Sequence, residues 1–200
     1  VITACLAKGS LAMSKKQTII KDINAMQGFG SMDVLCMDKT GTLTNESILL
    51  EYYMDILGNE NTEVLDLAYL NSSYHSGVRN TIDNAILACK TMPGRETHYT
   101  DLLAQYQKAD EIPFDYARKF VSTLVRDSDG ECQLIMKGDI RHIVSRCSHV
   151  EYRGETLPIE KDGMQSVSSV VDDMLKEGMK VIAIARKNVG HQREITPADE

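Results

Sequence analysis

Five consecutive residues, Asp38, Lys39, Thr40, Gly41 and Thr42, supply a carboxylate, a cation, two hydroxyls and a glycine directly behind the run "MDVLCM". These are the parts of a phosphoryl acceptor. A carboxylate ionised at neutral pH can attack phosphorus, a neighbouring cation offsets the charge, and glycine lets backbone amides approach phosphate oxygens. Attack of one anion on another requires a divalent ion between them. The Asp38 carboxylate and the Thr40 carbonyl are hard oxygen ligands suited to Mg²⁺, leaving Lys39 and the hydroxyls of Thr40 and Thr42 for the equatorial oxygens. Taken alone, an aspartate before a glycine-containing turn is more often a turn residue or a helix cap, so the surroundings must decide.

Those surroundings place Asp38 at a strand terminus. "MDVLCM" reads as a buried strand of a parallel sheet, and ligands of open α/β sheets bind just past the carboxyl ends of such strands. Upstream, residues 8 to 30 read as a short helical connector ending in a glycine-flanked turn. Beyond Asn45, Ile48, Leu50, Tyr52, Met54 and Ile56 alternate at period two and close on Gly58 and Asn59, which predicts a strand and a turn. Helices are expected at about 62 to 73, 81 to 91 and 99 to 107, the last with Thr100 as a cap. "FVSTLVRDSDGECQLIMKG" predicts a hairpin turning at Asp127 to Gly130. A helix near 139 to 147, a hairpin around Arg153 and Gly154, a helix near 162 to 177 and a strand near 180 to 186 complete the expectation. The pattern is one strand of a parallel α/β domain (1 to 45), interrupted by a large α+β insert (46 to 200) with an antiparallel sheet flanked by helices.

Composition narrows the function classes. The chain carries 22 basic and 29 acidic residues, a net charge of −7, which disfavours non-specific attraction to nucleic acid or anionic lipid. Phosphate-binding cations must therefore be placed locally. No stretch offers the ~20 apolar residues of a membrane helix, so this chain is not expected to span a bilayer. Five scattered cysteines without a C-x-x-C pair argue against a disulfide framework or structural zinc and fit a reducing cytosol. The five histidines lack metal-ligand spacing, and no G-x-S-x-G hydrolase signature is present. The opening "VITACLAKG" lacks an initiator methionine and a signal pattern, as expected of an interior piece of a longer protein.

The full string DKTGTLT is the phosphorylation signature of P-type ATPases, and with it the turn-residue reading of Asp38 gives way. "NAMQGFGSMDVLCMDKTGTLT", "YLNSSYHSGVRNTIDNAIL", "DEIPFDYARKF" and "LIMKGD" follow in the order and spacing of bacterial magnesium-transporting P-type ATPases, so the chain resembles that family along nearly its whole length. The resemblance implies that 1 to 45 belong to a haloacid-dehalogenase-like Rossmannoid phosphorylation domain and 46 to 200 to the nucleotide-binding domain inserted in it. It implies ATP and Mg²⁺ as cofactors, with Asp38 the phosphorylated nucleophile. Many haloacid-dehalogenase-like relatives carry a water-activating carboxylate two positions later; Thr40 stands there here, so a phosphoaspartate should persist.

The same likeness assigns nucleotide contacts. Phe114 corresponds to the aromatic that stacks on adenine, its alternative being a core residue beside Pro113. Lys119, and Lys137 with Gly138, would line the adenine and ribose pocket; otherwise the lysines are solvated surface residues. Asp83 falls where an acidic group lies near the adenine amino group, or else caps its helix. Lys180 matches a position often held by arginine near the phosphates. Asp139 departs from the usual alanine and must point away, pair with Lys137 or Arg141, or lower affinity; Phe120 stands where methionine is common. Lys180, a point charge, cannot give the fork of an arginine.

The GDG-x-N-D, TGD and TGE loops of the family are not in this sequence, and the chain is expected to stop before the last strand of the inserted domain. Two readings follow: the catalytic region of an ATP-driven cation pump, magnesium-transporting or for another cation such as calcium, on the cytoplasmic face of a bacterial membrane; or a module that binds nucleotide without turnover. Its partners would be ATP and the remaining phosphorylation, actuator and transmembrane domains of the same polypeptide. A free-standing phosphatase is disfavoured by Thr40 and the absent acidic loop.

Overall fold

The computed structural model describes residues 2–39, 41–44, 47–77, 79–152, 154–159 and 161–200, with the backbone alone for 161–166. Thr40, named above for its carbonyl and hydroxyl, and Arg153, at the expected second hairpin, lie outside the described residues. The chain divides into two units, Val1–Glu46 and Ser47–Glu200.

The first unit carries helix α1 (Ile2–Ser14), no residue of which is buried, and a single turn, α2 (Met26–Phe29). The expected strand "MDVLCM" does not form. Residues 34–38 have no ladder partner, and Val34, Leu35 and Met37 are 75%, 59% and 47% exposed. An apolar run becomes a strand only where another edge takes up its N–H and C=O groups, and none of the described residues offers one.

The second unit opens on a segment whose expected alternation also gives no strand. Only an isolated bridge joins Met54 to Glu60 across a turn in which the Asp55 carboxylate accepts from Leu57 N and Asn59 N. Tyr53, not Tyr52, turns inward with Leu50. Helices α3 (Thr62–Tyr74) and α4 (Thr81–Leu87) follow, each started by an asparagine: Asn61 Oδ1 accepts from Glu63 N and Val64 N, and Asn80 forms a reciprocal capping box with Asp83. After a 3₁₀ turn (Ala88–Thr91) comes α5 (Glu96–Gln105). It starts three residues earlier than expected, so Thr100 is no cap; its hydroxyl donates back to the Glu96 carbonyl.

Strands β1 (Gln107–Ile112), β2 (Phe120–Arg126), β3 (Cys132–Gly138) and β6 (Ala183–Gly190) form an antiparallel sheet in the order β1-β2-β3-β6. The β2–β3 turn is the expected one: Asp127 Oδ1 accepts from Asp129 N and Glu131 N, and Gly130 takes φ +88°. Between β3 and β6 lie α6 (Ile140–Val144), the hairpin β4 (His149–Tyr152) with β5 (Glu155–Pro158), and α7 (Lys161–Lys176). One face of the sheet buries Phe120, Leu124, Leu134 and Met136 with Ile143 and Ile195. The other sets Val125 and Ile135 against Leu70 of α3, beside a cluster of Leu65, Tyr69, Ile86 and Tyr99. This mixed α/β arrangement, an antiparallel sheet flanked by helices, is the fold class read from the second unit's sequence.

Candidate nucleotide site

Register brings the scattered motif residues to one end of the sheet. Ile112 pairs with Ser122, Phe120 with Gly138, and Gly138 with Ala183. Phe114 just beyond β1, Lys119 just before β2, Lys137 and Gly138 closing β3, and Lys180 ahead of β6 therefore share that end.

Gly138 is what allows the strands to meet there. A Cβ at this position would stand 2.4 Å from the Lys119 carbonyl oxygen and 2.4 Å from Phe120 Cβ. Asp139 N donates to the same Lys119 carbonyl at 3.0 Å, and Lys119 sits at φ +60°, a left-handed conformation costly for a side-chain-bearing residue. Lys119 is exposed. Phe114 is 48% exposed and meets Tyr116 edge-to-face at 5.4 Å, so it is not the core residue its alternative reading allowed.

Lys137 points to the helical face. Only 5% exposed, its ammonium pairs with the Asp83 carboxylate and donates to Ser72 Oγ at 2.6 Å, and Asp83 and Ser72 are themselves buried. The two residues come from separate motifs, and the solvated-lysine alternative does not describe Lys137. The capping alternative for Asp83 is also realised: its second oxygen accepts from Asn80 N at 3.3 Å. Burial would raise the Asp83 carboxyl, but the Lys137 charge and hydrogen bond outweigh it and hold the carboxyl below its ordinary value. Burial draws Lys137 down while Asp83 opposes it. The Lys137 cation thus favours the charged form of the carboxylate, and the carboxylate opposes loss of the lysine's proton. Next to Ser72, Asn71 Nδ2 donates 2.9 Å to the Ile135 carbonyl, tying α3 to β3. Neither Asn71 nor Ser72 was singled out by sequence, although both fall inside "LNSSYHSG".

A carboxylate that the sequence reading did not assign, Glu111, links the α3–α4 connection to β1. It accepts from Ser76 N (2.9 Å), Ser76 Oγ and Lys108 Nζ (2.9 Å), and His75 Nδ1 lies 3.9 Å away. Burial raises this carboxyl, and the Ser76 and Lys108 bonds reverse the shift and bring it below its ordinary value. Asp139 turns away from Lys137: it caps α6 through Arg141 N and His142 N and pairs with the His142 ring at 2.8 Å. Its partner is neither of the two cations expected. Lys180 is exposed in the segment ahead of β6, which begins at Ala183, not near 180.

In the first unit, Asp38, Lys39 and Thr42 are exposed. Lys39 N donates to Asp38 Oδ1 at 2.7 Å, Leu43 N closes on the Lys39 carbonyl at 2.9 Å, and Gly41 takes φ +77°. The result is a tight, open turn with an accessible carboxylate. Among the described residues no group of three or more His, Cys, Asp or Glu side chains could hold a metal ion. One carboxylate suits Mg²⁺, which keeps several waters and takes phosphate oxygens. No helix among the described residues is long and apolar enough to cross a membrane.

Residues 75–199 match the family model described as P-type ATPase, cytoplasmic domain N. The chain is 38% identical to magnesium-transporting ATPase, P-type 1, of Salmonella typhimurium and of Escherichia coli, over 94% of its own length and 20% of theirs. It is 29% identical to plasma membrane ATPase 1 of Schizosaccharomyces pombe over 98% of its length and 20% of that protein. With a calcium-transporting ATPase of Listeria monocytogenes it shares 27% identity, over 94% of the chain and 23% of the relative. It therefore spans about a fifth of the length of these curated relatives.

Proposed function

Because the chain belongs to the P-type ATPases, matching their cytoplasmic domain N, we propose that it is the ATP-handling part of an ATP-driven cation pump: 46 to 200 hold the nucleotide, and Asp38, in a segment of the phosphorylation domain, receives its γ-phosphoryl group. The observation that carries the nucleotide half is Phe114, a large aromatic left half-exposed at the sheet end where Lys119, Gly138 and Lys180 gather. An exposed aromatic face is a stacking platform for a base. Lys119 and Lys180 are free to meet phosphate or ribose oxygens, and the Asp83–Lys137 pair forms a polar floor.

In the transfer step, an Asp38 carboxylate oxygen forms a bond to the γ-phosphorus, the bond to the bridging oxygen breaks, and ADP leaves with that electron pair. Lys39 and Thr42, with Thr40, serve the equatorial oxygens. Mg²⁺, held by Asp38 and Thr40, would screen the negative charges that otherwise keep carboxylate and phosphate apart. The 38% identity to magnesium-transporting relatives, against 29% and 27% to the plasma membrane and calcium-transporting ones, supports magnesium as the transported ion, and the parent would be a phosphoprotein of the bacterial cell membrane with this part on the cytoplasmic side. The transport itself, and the actuator and membrane domains it needs, belong to that longer protein. Incubation with γ-labelled ATP and Mg²⁺ tests the acceptor: acid-stable label that disappears in Asp38→Asn is expected. A chain that binds ATP and never labels supports the second reading, a nucleotide-binding module without turnover.

A further inference from the structure

Arg118, the neighbour of Lys119, is woven into the loop that carries Phe114. Its side chain is 16% exposed. One guanidinium nitrogen donates to the Pro113 carbonyl at 2.6 Å, the other pairs with the Glu200 carboxylate, which Ser122 Oγ also engages at 2.6 Å, and Cζ lies 5.1 Å from the centroid of the fully buried Phe120 ring, which Arg146 Cζ also approaches at 4.9 Å. Phe120 thus gains a reason of its own, a π face for a cation that methionine would not supply. The rest of the loop is closed by Asp115, whose side chain accepts from Ala117 N and Arg118 N and whose carbonyl accepts from Lys119 N at 2.6 Å.

We propose that Arg118 is a positioning residue for nucleotide binding: by holding the Pro113 carbonyl against the Phe120 ring and Glu200, it fixes the peptide from which Phe114 springs and keeps that ring presented as a stacking face. The inference rests on the nucleotide reading above. Arg118 does not touch the nucleotide, because both ends of its fork are already engaged within the protein. Lysine cannot replace it: one ammonium could keep the Glu200 charge pair but could not also reach the Pro113 carbonyl.

The test compares ATP and adenosine binding to the 200-residue chain and its R118K and R118A variants, by NMR titration with the Phe114–Tyr116 ring contact as a second signal. Both variants should bind ATP and adenosine alike roughly tenfold more weakly, the scale of one lost stacking contact, and the ring contact should fade. R118K keeps a cation beside Glu200 and carries the test if R118A does not fold. Unchanged affinity for both ligands overturns the proposal. So does a loss confined to ATP, which would put Arg118 on the phosphates. Wild-type chain that binds neither ligand removes the nucleotide reading itself, before any variant is compared.

Discussion

Truncating Asp83 would strand the Lys137 ammonium in a site that is 5% exposed, with Ser72 as its remaining named partner. Breaking a buried pair in this way costs about 3–5 kcal/mol, so Asp83→Ala should show that loss in urea denaturation. Adding Lys137→Met should return part of it, because no charge is then left without a partner. Acid should act through the same chemistry. Asp83 and Glu111 both have folded values below the ordinary carboxyl range, so the folded state binds fewer protons than the unfolded one near those values. Their contribution is present at neutral pH and fades as pH drops from about 4 through the folded values. The urea midpoint should be flat from pH 7 to about 5 and fall below that, with a shallower fall in Glu111→Gln.

At the scale of elements, the meeting of β2 and β3 at Gly138 makes two opposite predictions. Gly138→Ala drives a methyl into the Lys119 carbonyl and the Phe120 side chain; a loss of about 2 kcal/mol or more and a blunted ATP response are expected. Lys119→Gly relieves the left-handed backbone and should raise stability by about 1 kcal/mol in the same assay, while weakening ATP binding. Such elements were legible where the local signal is strong. The helices beginning near 62 and 81 and the hairpin at Asp127 to Gly130 are read from the sequence, whereas the Asn61 and Asn80 caps that start those helices come only with the structure. "MDVLCM" misled because a continuous apolar run reports what a strand could bury and says nothing of whether a neighbouring edge exists. Strand β1 escaped notice for the converse reason. It is an edge strand bearing Lys108, Asp110 and Glu111 with an irregular register, which blunts pairing with other chains and erases the apolar pattern. The candidate residues could be named one by one, since Asp83, Phe114, Lys119 and Lys137 sit in recognisable strings. Asp83 and Lys137 lie 54 positions apart, and only the fold that brings the start of α4 to the end of β3 reveals their pairing.

For the whole molecule, the buried clusters belong to Ser47–Glu200, whereas Ile19, Phe29, Val34, Leu35 and Leu43 of the first unit are all more than half exposed. Deleting residues 1 to 46 should therefore leave the ATP titration of Phe114 unchanged and reduce binding of an apolar dye, while abolishing any labelling at Asp38. The sheet also carries a kinetic consequence. Strands β2 and β3 are joined by a tight turn and can zip as soon as they meet, but β6 must be brought back across α6, a hairpin and α7 before Ala183 reaches Gly138. Closing the longer loop has the greater entropic cost, so β6 docks late in refolding and peels first under denaturant. Chains caught early would show amide protection in the central hairpin and still ignore ATP, because the flank that carries Lys180 has not yet arrived.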